Sequence, residues 1–259
     1  GALFMAGVLP GLLTGAMLMM TAWLVARRRN LPKGYFPGWL ALTRAVAVAL
    51  PGLMTAIIIM GGILSGIFTP TESSAIAVIY TILVGTLVYR SLGWDAFWGA
   101  ARKSARTTAM VLFIIATATA FGFALALLEV PAALASLIAV ITDNPLLTLL
   151  IINIMLLVLG TFMDMAPLIV ITTPIFLPVA MGVGVDPVHF GIIMMLNLGI
   201  GLVTPPVGSV LFVGSAVGKI PVTKLVRTIW PFYLTLIAAL ALVTYVPFLS
   251  LWLPSVFAK

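Results

Sequence analysis

The sequence predicts an all-α protein that crosses a membrane several times, and three observations lead to this prediction. Of 259 residues, 63% are hydrophobic and only 7% are charged, whereas soluble domains carry about 25% charged residues. Charge-free stretches such as 1–26, 45–71 and 187–218 reach the roughly 20 apolar residues of a bilayer-spanning helix. These stretches do not alternate between apolar and polar residues as barrel strands do, which leaves helices to satisfy the backbone in lipid.

The basic residues predict how these helices are oriented. Twelve of the 13 Lys and Arg residues form three clusters, which follow the first apolar segment, the third apolar segment and the segment 187–218. If the clusters are cytoplasmic, only Lys259 lies outside. The net charge of +7 then reflects orientation, and no nucleic-acid partner is expected. The clusters are Arg27, Arg28, Arg29, Lys33 and Arg44; Arg90, Arg102, Lys103 and Arg106; and Lys219, Lys224 and Arg227.

With this orientation, 3–25 runs inward, 45–68 outward, 73–89 inward and 107–128 outward. Four of the acidic residues then fall on the outer side, and Asp95 falls inside. The four outer residues are Glu72, Glu129, Asp143 and Asp186.

Two shorter segments between these crossings are predicted to lie along the membrane surface. Aromatic residues at 94, 97 and 98 precede the basic residues of 102–106, which predicts an amphipathic interfacial helix over 93–106. Segment 130–142 is too short to span the bilayer and is expected along the outer face.

The stretch 144–185 begins and ends outside, so it must cross twice or enter and return as a re-entrant hairpin. Its middle, from Gly160 to Pro167, contains no Lys or Arg and lacks the composition of a water-exposed loop. We therefore favour a hairpin over 144–182 whose tip stays within the membrane, surrounded by protein.

Segment 187–218 predicts a discontinuous helix. An unbroken helix of this length would measure about 48 Å, far more than the roughly 30 Å hydrocarbon core. In its middle, Pro205 and Pro206 remove two backbone donors and disfavour helix in the residue before each proline. We expect two half-helices joined by unwound chain. A single C-terminal transmembrane helix then runs outward over 228–253, within 219–259.

Three helix starts can be predicted from capping residues. Thr69, Pro70 and Glu72 form a capping box that opens a helix over 70–89, and Asn144 and Asp186, each followed by proline, cap two more helices. The single histidine, His189, lies in the first turn after Asp186 and has no acidic or histidine companion. It is therefore a poor candidate for a metal ligand.

Asp164 is the one acid that falls between two apolar runs. A carboxylate at membrane depth costs about 2.5–3.5 kcal/mol and usually pairs, faces a cavity or binds an ion. We predict an ion site, with a hydrogen-bonded turn carboxyl as the alternative. Unwound chain at Gly160-Thr161 and from Thr204 to Gly208 offers carbonyl and hydroxyl oxygens for a small cation, and half-helix N-termini attract an anionic substrate. Two such discontinuous helices are typical of secondary transporters.

A slight internal repeat supports the same class. Aligning Pro10 with Pro231 also aligns Thr14 with Thr235, and each proline begins an apolar run. The two copies run in opposite directions in the predicted topology, as inverted repeats do.

Three motifs resemble the large membrane subunit of tripartite ATP-independent periplasmic (TRAP) transporters. They begin at Gly61-Gly62, at Asp186-Pro187 and at Gly201-Leu202. The resemblance covers essentially the whole chain but only the C-terminal part of that subunit, so the chain is expected to be a fragment. The resemblance implies that the chain divides into four parts. These are 1–30, the last helix of a first repeat; 31–106, the scaffold; 107–218, the transport domain; and 219–259, the C-terminal transmembrane helix.

The resemblance implies an elevator-type, inverted-repeat symporter of the bacterial inner membrane, with the C-terminus in the periplasm. It would import organic acids such as dicarboxylates or sialic acid with sodium as coupling ion and without a cofactor. A small membrane subunit and a periplasmic substrate-binding protein would be its partners, within the lipid bilayer. The implied ion site contains Gly160, Thr161, Asp164, Thr204, Pro206 and Gly208. The implied substrate site contains Thr161, Thr204, Pro205 and Pro206.

Three other functions stay open at this point. A stand-alone sodium/dicarboxylate symporter would share the architecture but need no binding protein. An intramembrane enzyme using Asp164 is disfavoured because aspartyl catalysis needs two carboxylates in one site and no second acid is expected at membrane depth. A non-transporting scaffold subunit is the third alternative. We expect a transporter and not an enzyme.

Overall fold

The computed structural model describes residues 1–30, 34–142, 144–206 and 208–257. Four residues used in the sequence predictions, Lys33, Asp143, Val207 and Lys259, lie outside this described part. Within it the regular structure is helical, so the predicted all-α fold is confirmed. A π-helical stretch, Val84–Val88, continues α3. The α-helices are α1 (Ala2–Arg28), α2 (Trp39–Leu64), α3 (Pro70–Leu83), α4 (Trp94–Leu127), α5 (Val130–Ile141), α6 (Pro145–Phe162), α7 (Met165–Gly182), α8 (Pro187–Gly201), α9 (Ser209–Gly218), α10 (Val222–Tyr245) and α11 (Phe248–Phe257).

Seven helical segments in the described part are long and apolar enough to cross a membrane. They are α1, α2, α3 with its π-helical end, α4, α6, α7 and α10. Their surfaces carry many exposed large apolar side chains, for example Leu12, Met19 and Phe113, as expected for helices that face lipid. The chain is therefore a multi-pass membrane protein.

The capping residues begin their helices as predicted. The Thr69 hydroxyl accepts from the Glu72 amide at 3.3 Å, and the Glu72 carboxylate accepts from the Thr69 amide at 2.8 Å. Asn144 Oδ1 accepts from the Leu146 amide at 2.9 Å. Asp186 Oδ1 accepts from the amides of the next helical turn, at 2.8 and 3.2 Å. These bonds satisfy N–H groups that the first turn of a helix leaves without partners.

Two predicted boundaries are wrong. Residues 93–106 do not form a helix of their own, because α4 continues from Trp94 to Leu127 without a break; a change of surface polarity alone does not interrupt the backbone hydrogen bonds. The interfacial position of this stretch stays a prediction. The predicted single C-terminal helix is two helices, α10 and α11. Val246 leaves the helical conformation at φ −121° and ψ 81° because Pro247 supplies no N–H and disfavours helix in the residue before it.

The chain divides into two compact units. The first contains Gly1, Leu3–Met5 and Arg29–Thr108, and its centre is the pair α2 and α3. A β-carbon added to Gly62 would lie 2.8 Å from Ser73 Oγ, so the two helices touch at small residues. The Tyr80 hydroxyl joins them again by donating to the Pro51 carbonyl at 2.9 Å.

The second unit contains Ala2, Ala6–Arg28 and Ala109–Lys259. Its main core lies among α5, α6, α7 and α8, where Leu156, Leu168, Phe176, Phe190 and Leu198 are each at most 2% exposed. The large apolar side chains of α6 and α8 thus interlock at the hairpin and at the first half of the broken helix.

Helix α1 packs within the second unit through Ala6, which clusters with Ile192 of α8 and Val243 of α10. The aligned prolines of the predicted repeat have the same local structure in both copies. The Thr14 hydroxyl donates to the Pro10 carbonyl at 2.7 Å, and the Thr235 hydroxyl donates to the Pro231 carbonyl at 3.0 Å.

Candidate functional site

The hairpin and the broken helix meet where α6 and α8 end. A β-carbon added to Gly201 would lie 2.6 Å from both the Cα and the carbonyl carbon of Gly160 and 2.8 Å from its carbonyl oxygen. Only a pair of glycines permits backbones to approach this closely. The last turn of α6 therefore lies directly against the residue after which the broken helix unwinds.

A backbone hydrogen bond joins the hairpin to the far side of the break. The Gly208 amide donates to the Thr161 carbonyl at an N···O distance of 3.4 Å. Gly208 has φ +42°, a left-handed conformation that favours glycine. A β-carbon there would lie 2.9 Å from the Thr204 carbonyl oxygen. The structure thus brings together Gly160, Thr161, Thr204 and Gly208.

The hydroxyls of Thr161 and Thr204 are oriented alike. Each donates to a carbonyl of its own helix at 2.7 Å, Thr161 to Val158 and Thr204 to Ile200. Because the proton is used in this bond, the oxygen lone pairs are left for a further partner. Thr161 is buried and Thr204 is half-buried.

The unwound segment 202–206 contributes further carbonyl groups. The amides of Val203 and Thr204 still donate to Ile200 and Gly201, at 3.1 and 2.9 Å, in a last tight turn. Beyond that turn Pro205 is half-buried and Pro206 is exposed, and the peptide bond between them is cis. Neither proline can donate a hydrogen bond, so this segment presents acceptors.

Asp164 lies at the tip of the hairpin, between the end of α6 and the start of α7. It is the N-cap residue of α7, its side chain makes no capping hydrogen bond, and it is exposed. In the part of the chain that the structure describes, its carboxylate shares no hydrogen bond with the four residues brought together above. The described residues also contain no group of three or more His, Asp and Glu side chains placed to hold a metal ion. Backbone and hydroxyl oxygens are therefore the cation ligands that the crossing itself offers.

Two helices begin at this site without a side-chain cap. Helix α7 starts after Asp164 at the hairpin tip, and α9 starts after Gly208 at the break. The N-terminus of a helix carries a partial positive charge and unpaired N–H groups. The site therefore combines oxygens suited to a cation with helix ends suited to an anion.

A buried polar network next to the site was not predicted from the sequence. Asn197 Nδ2 donates to the backbone oxygen and the side-chain oxygen of Asn153 at 2.9 and 2.8 Å, which joins α8 to α6. Asn153 Nδ2 in turn donates to the Thr244 hydroxyl of α10 at 3.0 Å. No regular spacing marks these residues, and only the occurrence of asparagine inside apolar runs could have drawn attention to them.

His189 belongs to the same buried region and is 2% exposed. Its ring nitrogens lie 2.6 Å from Ser250 Oγ and 3.2 Å from the Thr244 carbonyl oxygen. The histidine therefore joins the start of α8 to α10 and α11. This structural role agrees with its being a poor candidate for a metal ligand.

A multi-pass helical protein in which a helical hairpin meets a discontinuous helix has the architecture of a secondary transporter. A family model described as "Tripartite ATP-independent periplasmic transporter, DctM component" matches residues 1–249. The chain belongs to this family of TRAP transporter large permeases, so the resemblance drawn from its motifs is confirmed.

The relatives are bacterial proteins similar over nearly the whole chain. The C4-dicarboxylate TRAP transporter large permease protein DctM of Pseudomonas aeruginosa is 43% identical, with 98% of this chain and 60% of the relative covered. The sialic acid TRAP transporter large permease protein SiaM of Vibrio cholerae is 40% identical, with 99% and 60% covered. An uncharacterized protein of Salmonella typhimurium, YgiK, is 44% identical, with 99% and 59% covered.

The chain thus spans about three fifths of the length of these relatives. The relatives that carry a functional name are named transporter permeases, which are not enzymes. This agrees with the prediction that the chain is not an enzyme.

Proposed function

We propose that this chain is the C-terminal part of the membrane subunit of a sodium-coupled importer of organic acids. The observation that carries the proposal is the meeting of α6 with the broken helix, at the Gly160–Gly201 approach and the hydrogen bond between the Gly208 amide and the Thr161 carbonyl. Ends of discontinuous helices at such a crossing are where secondary transporters bind ions and substrates.

The sodium ion is proposed to bind among carbonyl and hydroxyl oxygens of Gly160, Thr161, Thr204, Pro206 and Gly208. Hard cations prefer oxygen ligands, and the two threonine hydroxyls already use their protons within their helices. Asp164 is proposed to act from the hairpin tip, where its negative charge attracts the cation without an observed side-chain bond to the crossing.

The substrate is proposed to be a carboxylate or a related organic anion that binds beside the ion. The N-terminus of α7, which has no side-chain cap, supplies partial positive charge and N–H donors. The N-terminus of α9 supplies partial positive charge, since its Val210 amide already donates to the Leu202 carbonyl at 3.2 Å. Thr161, Thr204, Pro205 and Pro206 would form the adjoining wall. The named relatives, which carry C4-dicarboxylate and sialic acid in their names, make organic anions the expected substrate class.

The remaining parts of the proposal concern the surroundings of the site. We place the protein in the bacterial inner membrane with its basic clusters cytoplasmic and its C-terminus periplasmic. The hairpin over 144–182 is proposed to be re-entrant, and 107–218 is proposed to move as a transport domain against the scaffold 31–106, with 1–30 as the last helix of a first repeat. A small membrane subunit and a periplasmic substrate-binding protein are the proposed partners.

The test is uptake of labelled succinate and labelled sialic acid into proteoliposomes that contain the full-length protein and its partners. Uptake should require an inward sodium gradient. Thr161→Val or Thr204→Val should raise the sodium concentration for half-maximal uptake about tenfold, because a hydroxyl that binds a charged group contributes about 1.5 kcal/mol or more. Asp164→Asn should also raise the sodium concentration for half-maximal uptake.

Thr228→Val is the matched control, because the Thr228 hydroxyl donates to the Lys224 carbonyl four residues earlier, as that of Thr204 does to Ile200, but lies outside the crossing. It should leave the sodium dependence unchanged. Unchanged sodium dependence in the Thr204 and Asp164 variants would show that the site is placed wrongly. Uptake without the binding protein would instead favour a stand-alone symporter.

A further inference from the structure

The first unit contains an apolar cavity at the turn between α3 and α4. Its volume is about 370 Å³, and it lies between the π-helical end of α3 and the first turn of α4. We call this cavity the wedge. It is within the size range of pockets that bind small molecules, about 300–1,000 Å³. The residues that line it are Ile82, Thr86, Leu92, Gly93, Trp94 and Phe97.

The turn that closes the wedge is held by backbone hydrogen bonds. The amides of Ser91 and Leu92 both donate to the Gly85 carbonyl, at 3.0 and 3.2 Å. A β-carbon added to Gly85 would lie 3.3 Å from Leu92 Cβ, so the turn packs tightly on the π-helical stretch. The wedge is therefore formed by fixed backbone at its inner end.

Three aromatic rings lie at the outer side of the wedge. The ring centroids of Trp94, Phe97 and Trp98 are 5.7 to 6.0 Å apart, with one stacked and two edge-on pairs. Trp94 is 73% and Trp98 48% exposed. Exposed tryptophans of this kind are typical of the level of the lipid headgroups.

Positive charge surrounds the aromatic cluster. Arg90 lies in the chain two residues before Leu92 of the wedge, and Arg102 follows Trp94 and Trp98 on one helical face at spacings of four. Arg102 Nε donates to the Trp98 carbonyl at 3.3 Å, so its side chain folds back toward the wedge. Lys103 points to the opposite side of α4 from Trp94, and Asp95 is the one acid of 90–106.

We infer that the wedge binds an anionic phospholipid, with an acyl chain against Ile82, Thr86 and Phe97 and the phosphate facing Arg90 and Arg102. The apolar cavity matches the hydrocarbon chain, the indole rings match the headgroup region, and the arginines match a phosphate. With the predicted orientation this end of the protein is cytoplasmic, the side on which membranes carry anionic lipids. Charge complementarity therefore favours this occupant over a neutral lipid or an apolar helix of another subunit.

The test reconstitutes the full-length protein in vesicles with phosphatidylglycerol or phosphatidylcholine that carry bromine on the acyl chains. The difference in fluorescence between the wild-type protein and Trp94→Phe isolates the emission of Trp94, which bromine in the wedge quenches. Brominated phosphatidylglycerol should quench it at a lower mole fraction than brominated phosphatidylcholine. Arg102→Gln should raise the mole fraction of brominated phosphatidylglycerol needed for quenching about fivefold, as expected for the loss of one arginine near a lipid surface.

Lys103→Gln is the matched control, because it removes the same charge from the opposite side of the same helix. It should change the mole fraction less than twofold. Thr86→Phe should fill the wedge and abolish the preference for phosphatidylglycerol. Equal effects of Arg102→Gln and Lys103→Gln would show that the lipid is attracted by the overall positive charge and would refute the proposed site. This comparison does not depend on whether Thr86→Phe folds. Absence of quenching by both lipids would show that protein fills the wedge.

Discussion

Replacement of Gly201 by alanine is the most direct test of the α6–α8 crossing. The added methyl group would lie 2.6 Å from two backbone atoms of Gly160 and 2.8 Å from its carbonyl oxygen. Carbon atoms in favourable contact are about 3.5 Å apart, so the helices must separate by about 0.9 Å. Backbone atoms cannot rotate away as the end of a flexible side chain can, which leaves movement of a whole helix as the response.

The expected cost follows from this displacement. Overpacking of a filled interior costs about 1–3 kcal/mol, and alanine recovers at most about 0.5–1 kcal/mol of helix propensity over glycine. We expect a net loss of about 1–2 kcal/mol, which lowers the unfolding temperature by about 2–8 °C in a chain of this size. The same movement would lengthen the bond from the Gly208 amide to the Thr161 carbonyl, already 3.4 Å, so sodium affinity should fall as well.

The assay compares unfolding temperatures of three alanine variants in detergent. At Gly160 the nearest atom to an added β-carbon is Gly201 Cα at 3.2 Å, and at Gly199 no atom lies within 4 Å. Gly160→Ala should therefore be less destabilising than Gly201→Ala, and Gly199→Ala should be neutral or slightly stabilising. If Gly201→Ala unfolds at or above the temperature of Gly199→Ala, the close approach of the two helices is wrong.

Three further predictions concern hydrogen bonds of the described residues. Asn153→Leu and Asn197→Leu should each cost about 1–3 kcal/mol, because the first removes the donor to the buried Thr244 hydroxyl and the second removes the donor to the buried side-chain oxygen of Asn153. In denaturant unfolding, the double variant should lose less free energy of unfolding than the two single variants lose together. Losses that add exactly would contradict the pairing of the two asparagines. Thr69→Ala should lower stability by about 1 kcal/mol through loss of the cap, and an unchanged unfolding temperature would contradict that role. Tyr233→Phe removes a donor to the unwound chain and should speed amide hydrogen exchange in 202–204, with unchanged exchange as the opposing outcome.

Local chemistry explains which parts of the fold could be predicted from the sequence. The caps at Thr69, Asn144 and Asp186 depend on side chains within three residues of the amides they bind, and the break at Pro205-Pro206 depends on missing donors. Such effects act over one helical turn. The same reasoning predicts a break before Pro247, because this proline lies inside the segment 228–253.

The candidate site could be predicted only in part. The sequence indicated Gly160, Thr161, Thr204 and Gly208 as unwound chain, and the structure brings these residues together. The predicted unwinding at Gly160 and Thr161 is wrong, because both lie in the last turn of α6, which continues to Phe162. The sequence also indicated Asp164, whose carboxylate makes no hydrogen bond to these residues in the described part of the chain. Nothing in the sequence distinguishes Gly201, among 23 glycines, as the one that lies against another helix.

The buried polar network explains how an unwound segment can persist beside these helices. Buried polar groups are costly unless they are hydrogen-bonded, and Asn153, Asn197 and His189 join α6, α8, α10 and α11. Among the described residues, the side-chain oxygen of Asn197 alone in this network is buried without a partner. The unwound chain lies at the end of this assembly and is held from two sides. Thr161 of α6 accepts from the Gly208 amide, and Tyr233 of α10 donates to the Val203 carbonyl. Irregular backbone in a membrane requires neighbouring protein of this kind, and here the neighbours are the helices whose ends form the proposed ion site.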